Sequence, residues 1–364
     1  MGEQAPISER EEKILGVIET ARGKRAKFRD ERITMAHGAG GKSSQSLIEG
    51  LLLPALRNDA LAALGDAGTM SLAGIELALS ADSFVVTPIR FPGGSIGELA
   101  VNGTVNDLAV SGARPLALTL SLVLEEGLAT SALSAEIEAV AQAAQTAGVR
   151  IIAGDTKVVE RGHADAMFAC TTGVGAVDPR ARLSTSGLRP GDRILLSGPI
   201  GEHGMAVMLA RDEFSLQADI SSDTRSLWPA ADALLEAAGP ALHCMRDPTR
   251  GGVASALNEL VRASGVAALV READVPIVPA VAGAAELLGI DPMYVANEGK
   301  LLAFVAAERG EAALAALRAV PGCEQAADIG EVTLEPPGMV LVDTAFGGRR
   351  VLDLLSGDPL PRIC

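Results

Sequence analysis

The stretch IGELAVNGTVNDLAVSGA (96–113) places apolar residues at i, i+3 and i+4 and stops at a glycine, which reads as a helix. It runs directly into PLALTLSLVLEE (115–126), an apolar run that reads as a strand. Working outward, IELALSAD (75–82), VRIIAGDTKVVE (149–160) and AMFACTTGVGAV (166–177) repeat the strand pattern, and SALSAEIEAVAQAAQTAG (131–148) repeats the helical one. This alternation predicts an α/β first half. RARLSTSGLRPGD (180–192), rich in turn residues, predicts a boundary. Beyond it lie a strand in DRILLSG (192–198), helical stretches at 201–211 and 223–238, and the helix GGVASALNELVRASG (251–265). A strand near 300–307, a helix near 310–318 and a strand at 339–343 complete the second half. The expected organisation is an N-terminal extension over 1–32, a first domain over 33–179, a second, related α/β domain over 180–345, and a tail over 346–364.

Composition narrows the function. The 364 residues suit two domains, and 48% hydrophobic with 21% charged residues excludes wholesale disorder. With 2% aromatics the core must be built from Ala, Leu and Val. Few stacking rings and a net charge of −15 argue against a nucleic-acid partner. No run reaches the ~18 uninterrupted apolar residues that span a bilayer, so no membrane partner is expected. The polar start MGEQAPISEREEK has no apolar signal core. EEKILGVIETARGKRAKFRDER, within the extension, reads as one amphipathic helix or a disordered accessory segment. Four cysteines without a CxxC pair make neither a disulfide framework nor a zinc knuckle, and a reducing cytoplasm is expected.

Candidate chemistry sits in four places. TMAHGAGGKSS (34–44) is not a P-loop, because Ala36 stands where that motif needs glycine. It is still a glycine-rich loop with Lys42 ahead of a helix, SSQSLIEGLLLPAL, and backbone N–H groups in such a loop can wrap phosphate; the plain alternative is a turn that caps the helix. GGSIG (93–97) matches a nucleophile elbow on paper, but FP precedes it, so Ser95 reads as a helix N-cap instead. Asp82, Asp107, Asp155 and Asp247 read as strand-end or turn residues that could hold Mg²⁺ around a nucleotide; singly, each also suits capping or turn chemistry. His37, His163, His203 and His243 show no metal-binding spacing. Cys170, in an apolar strand, reads as a buried residue. Cys364, the last residue on a proline-containing tail, reads as an exposed nucleophile or carrier.

HGAGGKSS (37–44), GDTKVVERG (154–162), RDPTRGGVASALNEL (246–260), NEGK (297–300) and the terminal PRIC (361–364) together resemble the hydrogenase maturation factor HypE family. The 246–260 motif also suits selenophosphate synthetase and aminoimidazole ribonucleotide synthetase; the terminal cysteine separates HypE from both. The resemblance implies the two-domain α/β (PurM-like) fold of aminoimidazole ribonucleotide synthetase with a mobile C-terminal tail, a homodimer formed through the first domain, and ATP bound at that domain. It implies an ATP-dependent carbamoyl dehydratase. The carbamoyltransferase HypF would load Cys364, dehydration would give a thiocyanate, and cyanide would pass towards iron on a HypC–HypD scaffold. Carried over by motif, Gly38, Gly40, Gly41, Lys42, Asp82, Asn106, Asp107 and Asp155 would hold ATP, and Asp82, Asp107 and Asp247 would hold Mg²⁺. Lys157 and Glu298 would lie near the thiol as candidate bases, or pair structurally. Two rivals are another phosphorylating enzyme of the superfamily and a non-catalytic thiol carrier. A loop 37–44 without cysteine argues against the first, and the aspartate set argues against the second.

Overall fold

The computed structural model describes residues 28–211, 218–355, 357 and 362–364; the expectation for residues 1–27 lies outside the described residues. The glycine-rich loop leads into α1 (Lys42–Leu47), whose helical path continues with local irregularity to Leu56. The first sheet comprises β1 (Gly68–Leu72), β2 (Ile75–Phe84), β3 (Ala113–Glu125), β4 (Arg150–Val159) and β5 (Met167–Val177), in the order β1-β2-β5-β3-β4. Only the β3–β4 pairing is parallel. Helices α2 (Ile96–Val110) and α3 (Thr130–Ala147) provide the connections, and α3 ends on Gly148 at φ 70°, a left-handed position suited to glycine.

Helix α2 is buried on all sides except at Glu98 and Asp107. A helix apolar all round must be enclosed, and this one lies between the first sheet and the second domain. Its approach is close: a Cβ on Gly103 would meet the Phe84 ring at 2.8 Å, and one on Gly173 of β5 would meet Thr104 of α2 at 2.8 Å. Ser95 does occupy the N-cap, but its buried hydroxyl makes no capping bond. Glu136 of α3, fully buried, accepts from the Gly97 N–H at 3.0 Å instead and pairs with Arg90 at 2.7 Å. A carboxylate there also suits the positive end of the helix dipole.

The second sheet has seven strands: β6 (Arg193–Leu196), β7 (Leu242–Arg246), β8 (Ala267–Arg271), β9 (Leu302–Val305), β10 (Ala327–Thr333), β11 (Val340–Asp343) and β12 (Arg349–Val351), ordered β12-β11-β8-β10-β6-β9-β7. Its helices include α4 (Glu202–Leu209), α5 (Trp228–Ala238), α6 (Gly252–Ser264), α7 (Pro279–Leu288) and α8 (Ala307–Arg318). Of these elements, β7, β8, β10, β12 and α7 were not expected from sequence. One core mixes Ile96, Leu99 and Leu122 of the first domain with Met205, Met208 and Val281 of the second, and Ile363 of the tail inserts into it. The domains therefore share apolar surface rather than merely touching. Cys170, read as buried, is only partly so, with its Sγ 3.4 Å from Ser83 Oγ.

Candidate active site between the two domains

Three elements bring carboxylates to one point. Asp66 precedes β1, Asp107 lies within α2, and Asp247 follows β7; one oxygen from each lies within 4.8 Å of the others. Asp107 accepts from Ser80 of β2, and Asp82, also on β2, faces Thr104 at 3.4 Å. The expectation of turn and strand-end positions is corrected here: Asp107 is inside a helix, and Asp82 and Asp155 are inside strands. Burial and like charge push the carboxyls of Asp66, Asp107 and Asp247 up. Asp66 rises to about 6 and Asp247 to about 8, while Asp107 is held well above the usual carboxylate range, burial being the largest cause in each case. Arg246, 3.0 Å from Asp66 and 2.6 Å from Glu259, offsets part of this repulsion. A cluster of hard oxygen donors that resist ionising side by side fits a divalent cation such as Mg²⁺.

Glu298 is 3% exposed, and its Oε1 has no hydrogen-bond partner. Burial, then the charges of Asp247, Asp223 and Asp82, hold its carboxyl well above the usual range. Its backbone is fixed from several sides. Asp223 accepts from the Glu298 N–H at 3.0 Å, the Gly299 N–H at 3.2 Å and Lys300 Nζ at 2.9 Å. Gly299 passes so close that a Cβ would fall 1.8 Å from the Asp223 carbonyl oxygen. Asn297 accepts from the Gly201 N–H at 2.7 Å and donates to the Pro248 and Val295 carbonyls. Three residues of NEGK thus build a rigid loop that presents the fourth.

Asn106, expected among the nucleotide ligands, supports this same loop. Its amide donates to the carbonyls of Glu298 (3.1 Å) and Arg225 (3.0 Å), and its oxygen accepts from the Leu227 N–H at 2.7 Å.

The last three residues are docked. The Val85 N–H donates to the Cys364 carbonyl at 3.0 Å, and the Thr87 N–H donates to that of Arg362 at 3.1 Å. Cys364 enters a cavity of about 130 Å³ lined also by Gly38, Gly41, Val85, Arg250 and Tyr294. The charges of Cys364, and less strongly of Asp82, Glu298 and Asp107, raise the Arg250 pKa against the burial that lowers it. Arg250 lines the same cavity as Cys364. Gly40 and Gly41 are glycine by necessity: a Cβ would fall 2.7 Å from the Arg250 carbonyl oxygen at Gly40 and 2.6 Å from that of Leu355 at Gly41. Gly38 has open space around it.

Not every expected residue arrives. Lys42 Nζ turns to Asp353 at 3.0 Å and is half exposed. Asp155 and Lys157 lie on the edge strand β4, paired with each other at 2.7 Å and with most of their side chains in solvent. Within one chain they stand apart from Glu298 and the aspartates.

Family models agree with this architecture: residues 64–177 match AIR synthase related protein, N-terminal domain, and residues 189–342 match its C-terminal domain. Carbamoyl dehydratase HypE of Azotobacter vinelandii is 47% identical over 340 residues, covering 93% of this chain and 99% of that protein. The chain belongs to the HypE family. Carbamoyl dehydratase HypE of Escherichia coli is 42% identical over 91% of this chain and 99% of its own. A solved HypE in complex with ATP superposes with a TM-score of 0.77 at 44% identity, covering 92% of this chain and 100% of that one. A chain of a HypE–HypF complex gives a TM-score of 0.81 at 41% identity, over 85% and 99%. AaThiL complexed with AMPPCP and TMP, at 20% identity and a TM-score of 0.64, shares the fold.

Sequence reasoning missed Asp66, Asp223 and Arg250 as members of this HypE site. Asp66 sits in GDAG (65–68), an acidic turn ahead of a strand like those that drew attention to Asp155. Arg250 stands inside the quoted RDPTRGG. Asp223 carries no local signal, because only the folded chain brings it under residues 298–300.

Proposed function

We propose that the protein is an ATP-dependent carbamoyl dehydratase of hydrogenase maturation, with Cys364 as the carrier of the carbamoyl group. The carrying observation is the docked tail: Cys364 shares a cavity with the glycine-rich loop and with Arg250. The carbonyl oxygen of S-carbamoyl Cys364 attacks the terminal phosphorus of ATP, ADP leaves, and a first N–H proton is lost. A base then takes the second N–H proton as the carbon–oxygen bond breaks, releasing phosphate and leaving a thiocyanate. Phosphoryl transfer of this kind rests on positioning and charge neutralisation. The backbone of residues 38–41 would hold phosphate oxygens, with Lys42 released from Asp353 to join them. Mg²⁺ held by Asp66, Asp107 and Asp247, with Asp82 behind them, would screen the triphosphate.

Glu298 takes the role of the base. Its Oε1 is buried and unpaired, and its loop holds it still; a raised carboxyl pKa is what general-base work near neutral pH requires. Asp155 and Lys157 act from a second copy of the chain in a homodimer formed through the first sheet. The apolar, solvent-facing residues Met70, Ile75, Ile152 and Val158 on β1, β2 and β4 favour such a dimer. The setting is the cytoplasm, with a HypF-type carbamoyltransferase upstream and a HypC–HypD-type scaffold downstream; among the described residues no helix is long and apolar enough to cross a membrane.

Mass spectrometry of the C-terminal peptide tests the reaction. Glu298→Gln should accept carbamoyl on Cys364 and bind ATP, then accumulate the carbamoylated form; normal thiocyanate formation would remove Glu298 from the chemistry.

A further inference from the structure

His203 lies outside the acidic cluster, yet it is fully buried at the start of α4. Its Nδ1 is 2.8 Å from Ser222 Oγ, its Nε2 is 2.6 Å from the Ile363 carbonyl oxygen, and the Phe91 ring meets it edge-on at 5.4 Å. A carbonyl can only accept, so Nε2 carries the hydrogen. Burial pushes the imidazole pKa down against the pull of Asp223, which favours the neutral ring. In the neutral ring Nδ1 then accepts from the Ser222 hydroxyl. Ser222 is itself held, donating its N–H to the Pro92 carbonyl at 2.8 Å. With the tail docked, the imidazole is therefore fixed in place and in tautomer.

The tail lies alongside residues 85–87, which bond the carbonyls of Arg362 and Cys364. The Ile363 carbonyl, between these two bonds, points to the other side. There it meets His203, on a residue only 5% exposed. Arg211, just beyond α4, adds a second bond to the Arg362 carbonyl at 2.7 Å. A backbone oxygen of each of the three residues is thus held, and Ile363 fills the shared core between the domains.

We propose that His203 is a positioning residue for the tail reaction: it pins the Ile363 carbonyl and so sets how deeply Cys364 enters the cavity beside the glycine-rich loop. The inference rests on the proposed function for the reaction itself, but the docking can be read without it. Because the His203 and Arg211 bonds are to backbone oxygens of residues 363 and 362, the same pin serves a free thiol, a carbamoylated thiol and a thiocyanate alike.

Two variants of like polarity and different reach separate positioning from folding. The Gln side chain in His203→Gln extends to the Nε2 position and can donate to Ile363, whereas that in His203→Asn is too short. Without the donor a buried carbonyl is left unpaired, so iodoacetamide labelling of Cys364 in the full-length protein should accelerate by roughly 10- to 100-fold in His203→Asn. His203→Gln should stay near the parent rate, and Cys244 and Cys323 should remain protected in both. Dehydration of preloaded carbamoyl-Cys364 should slow in His203→Asn and recover in His203→Gln, with ATP affinity by calorimetry unchanged. Equal Cys364 labelling in the two variants, or exposure of Cys244 and Cys323 along with it, would overturn the positioning role. If the parent protects Cys364 but its carbamoylated form never turns over ATP, the pin stands and the proposed reaction falls.

Discussion

Strands β4 (RIIAGDTKVV) and β9 (LAFV) both carry apolar residues and meet opposite fates. β9 is an interior strand flanked by β6 and β7, with every side chain buried, and it lies between the core that includes Leu257 of α6 and the core that includes Leu234 of α5 and Leu317 of α8. β4 is the edge of the first sheet, and its residues are exposed along nearly the whole strand, with Ile152 at 63% and Val158 at 67%. Helices cover both faces of the second sheet, whereas α2 and α3 cover only one face of the first. An uncovered apolar edge strand invites pairing or packing with another chain. The second domain is a finished core; the first leaves apolar side chains uncovered on the surface proposed to meet a second copy, with Asp155 and Lys157 exposed on its edge strand.

The sharpest way to break this contrast is to truncate matched apolar residues. Phe304→Ala in β9 should lower folding stability by about 3–5 kcal/mol, since a large buried ring leaves a cavity. Ile152→Ala in β4 should change monomer stability by no more than about 0.5 kcal/mol. Urea unfolding of both reads the difference, and equal losses would mean that β4 is as enclosed as β9.

A second contrast is between acids. Asp247, raised to about 8, binds its proton in the folded chain at pH values where the unfolded chain has lost it. Its contribution is therefore full below the ordinary carboxylate pKa and is lost as pH rises towards 8. Asp66, raised to about 6, acts in the same sense over a narrower window. Asp155 runs the other way: its partner Lys157 first, then the Thr156 N–H, lower its pKa, so its contribution is present above the ordinary range and lost as pH falls. In chelator, thermal stability should decline between about pH 5 and 8, and excess magnesium should flatten the curve. Asp247→Asn should raise chelated stability near pH 8 by roughly 1–3 kcal/mol while weakening Mg²⁺–ATP binding. A flat chelated profile for the parent would show that the cluster is not under like-charge strain.

The smallest expected effect on the folded monomer comes from charge on the edge strand. Ile152→Asp should leave the unfolding midpoint close to that of the parent while halving the mass seen by light scattering. If the variant remains dimeric, β4 is not the joining surface.

Much of the fold was legible because its longest elements carry unambiguous period. Strands β2 to β5 and helices α2, α3 and α6 fall within a few residues of their expected limits. LHCMR (242–246), AALVR (267–271) and ADIGEVT (327–333) escaped because they are short and buried by neighbours that no local pattern records, the first and last being also interrupted by polar or glycine residues. Position within an element followed the same rule. Asp107 read as a turn residue because small and polar neighbours surround it, yet those small residues let α2 pack tightly, and the acid faces Ser80 of β2 and Asp247 after β7.

By itself the sequence determined the local chemistry: a glycine-rich loop ahead of a helix, acids beside small residues, an NEGK segment, and a cysteine placed last on an extended tail. These are properties of residue type and spacing, set within a few turns of chain. Only the tertiary structure decided which of them meet. It added Asp66 to Asp107 and Asp247, set Asp223 beneath Glu298, turned Asn106 from a ligand into a support, and left Asp155 and Lys157 on an edge facing outward. The physical reason is that like-charged groups stay together only where the surrounding fold forces them. That force comes from α2 being enclosed between two domains that share one core, an enclosure made by contacts far apart in sequence.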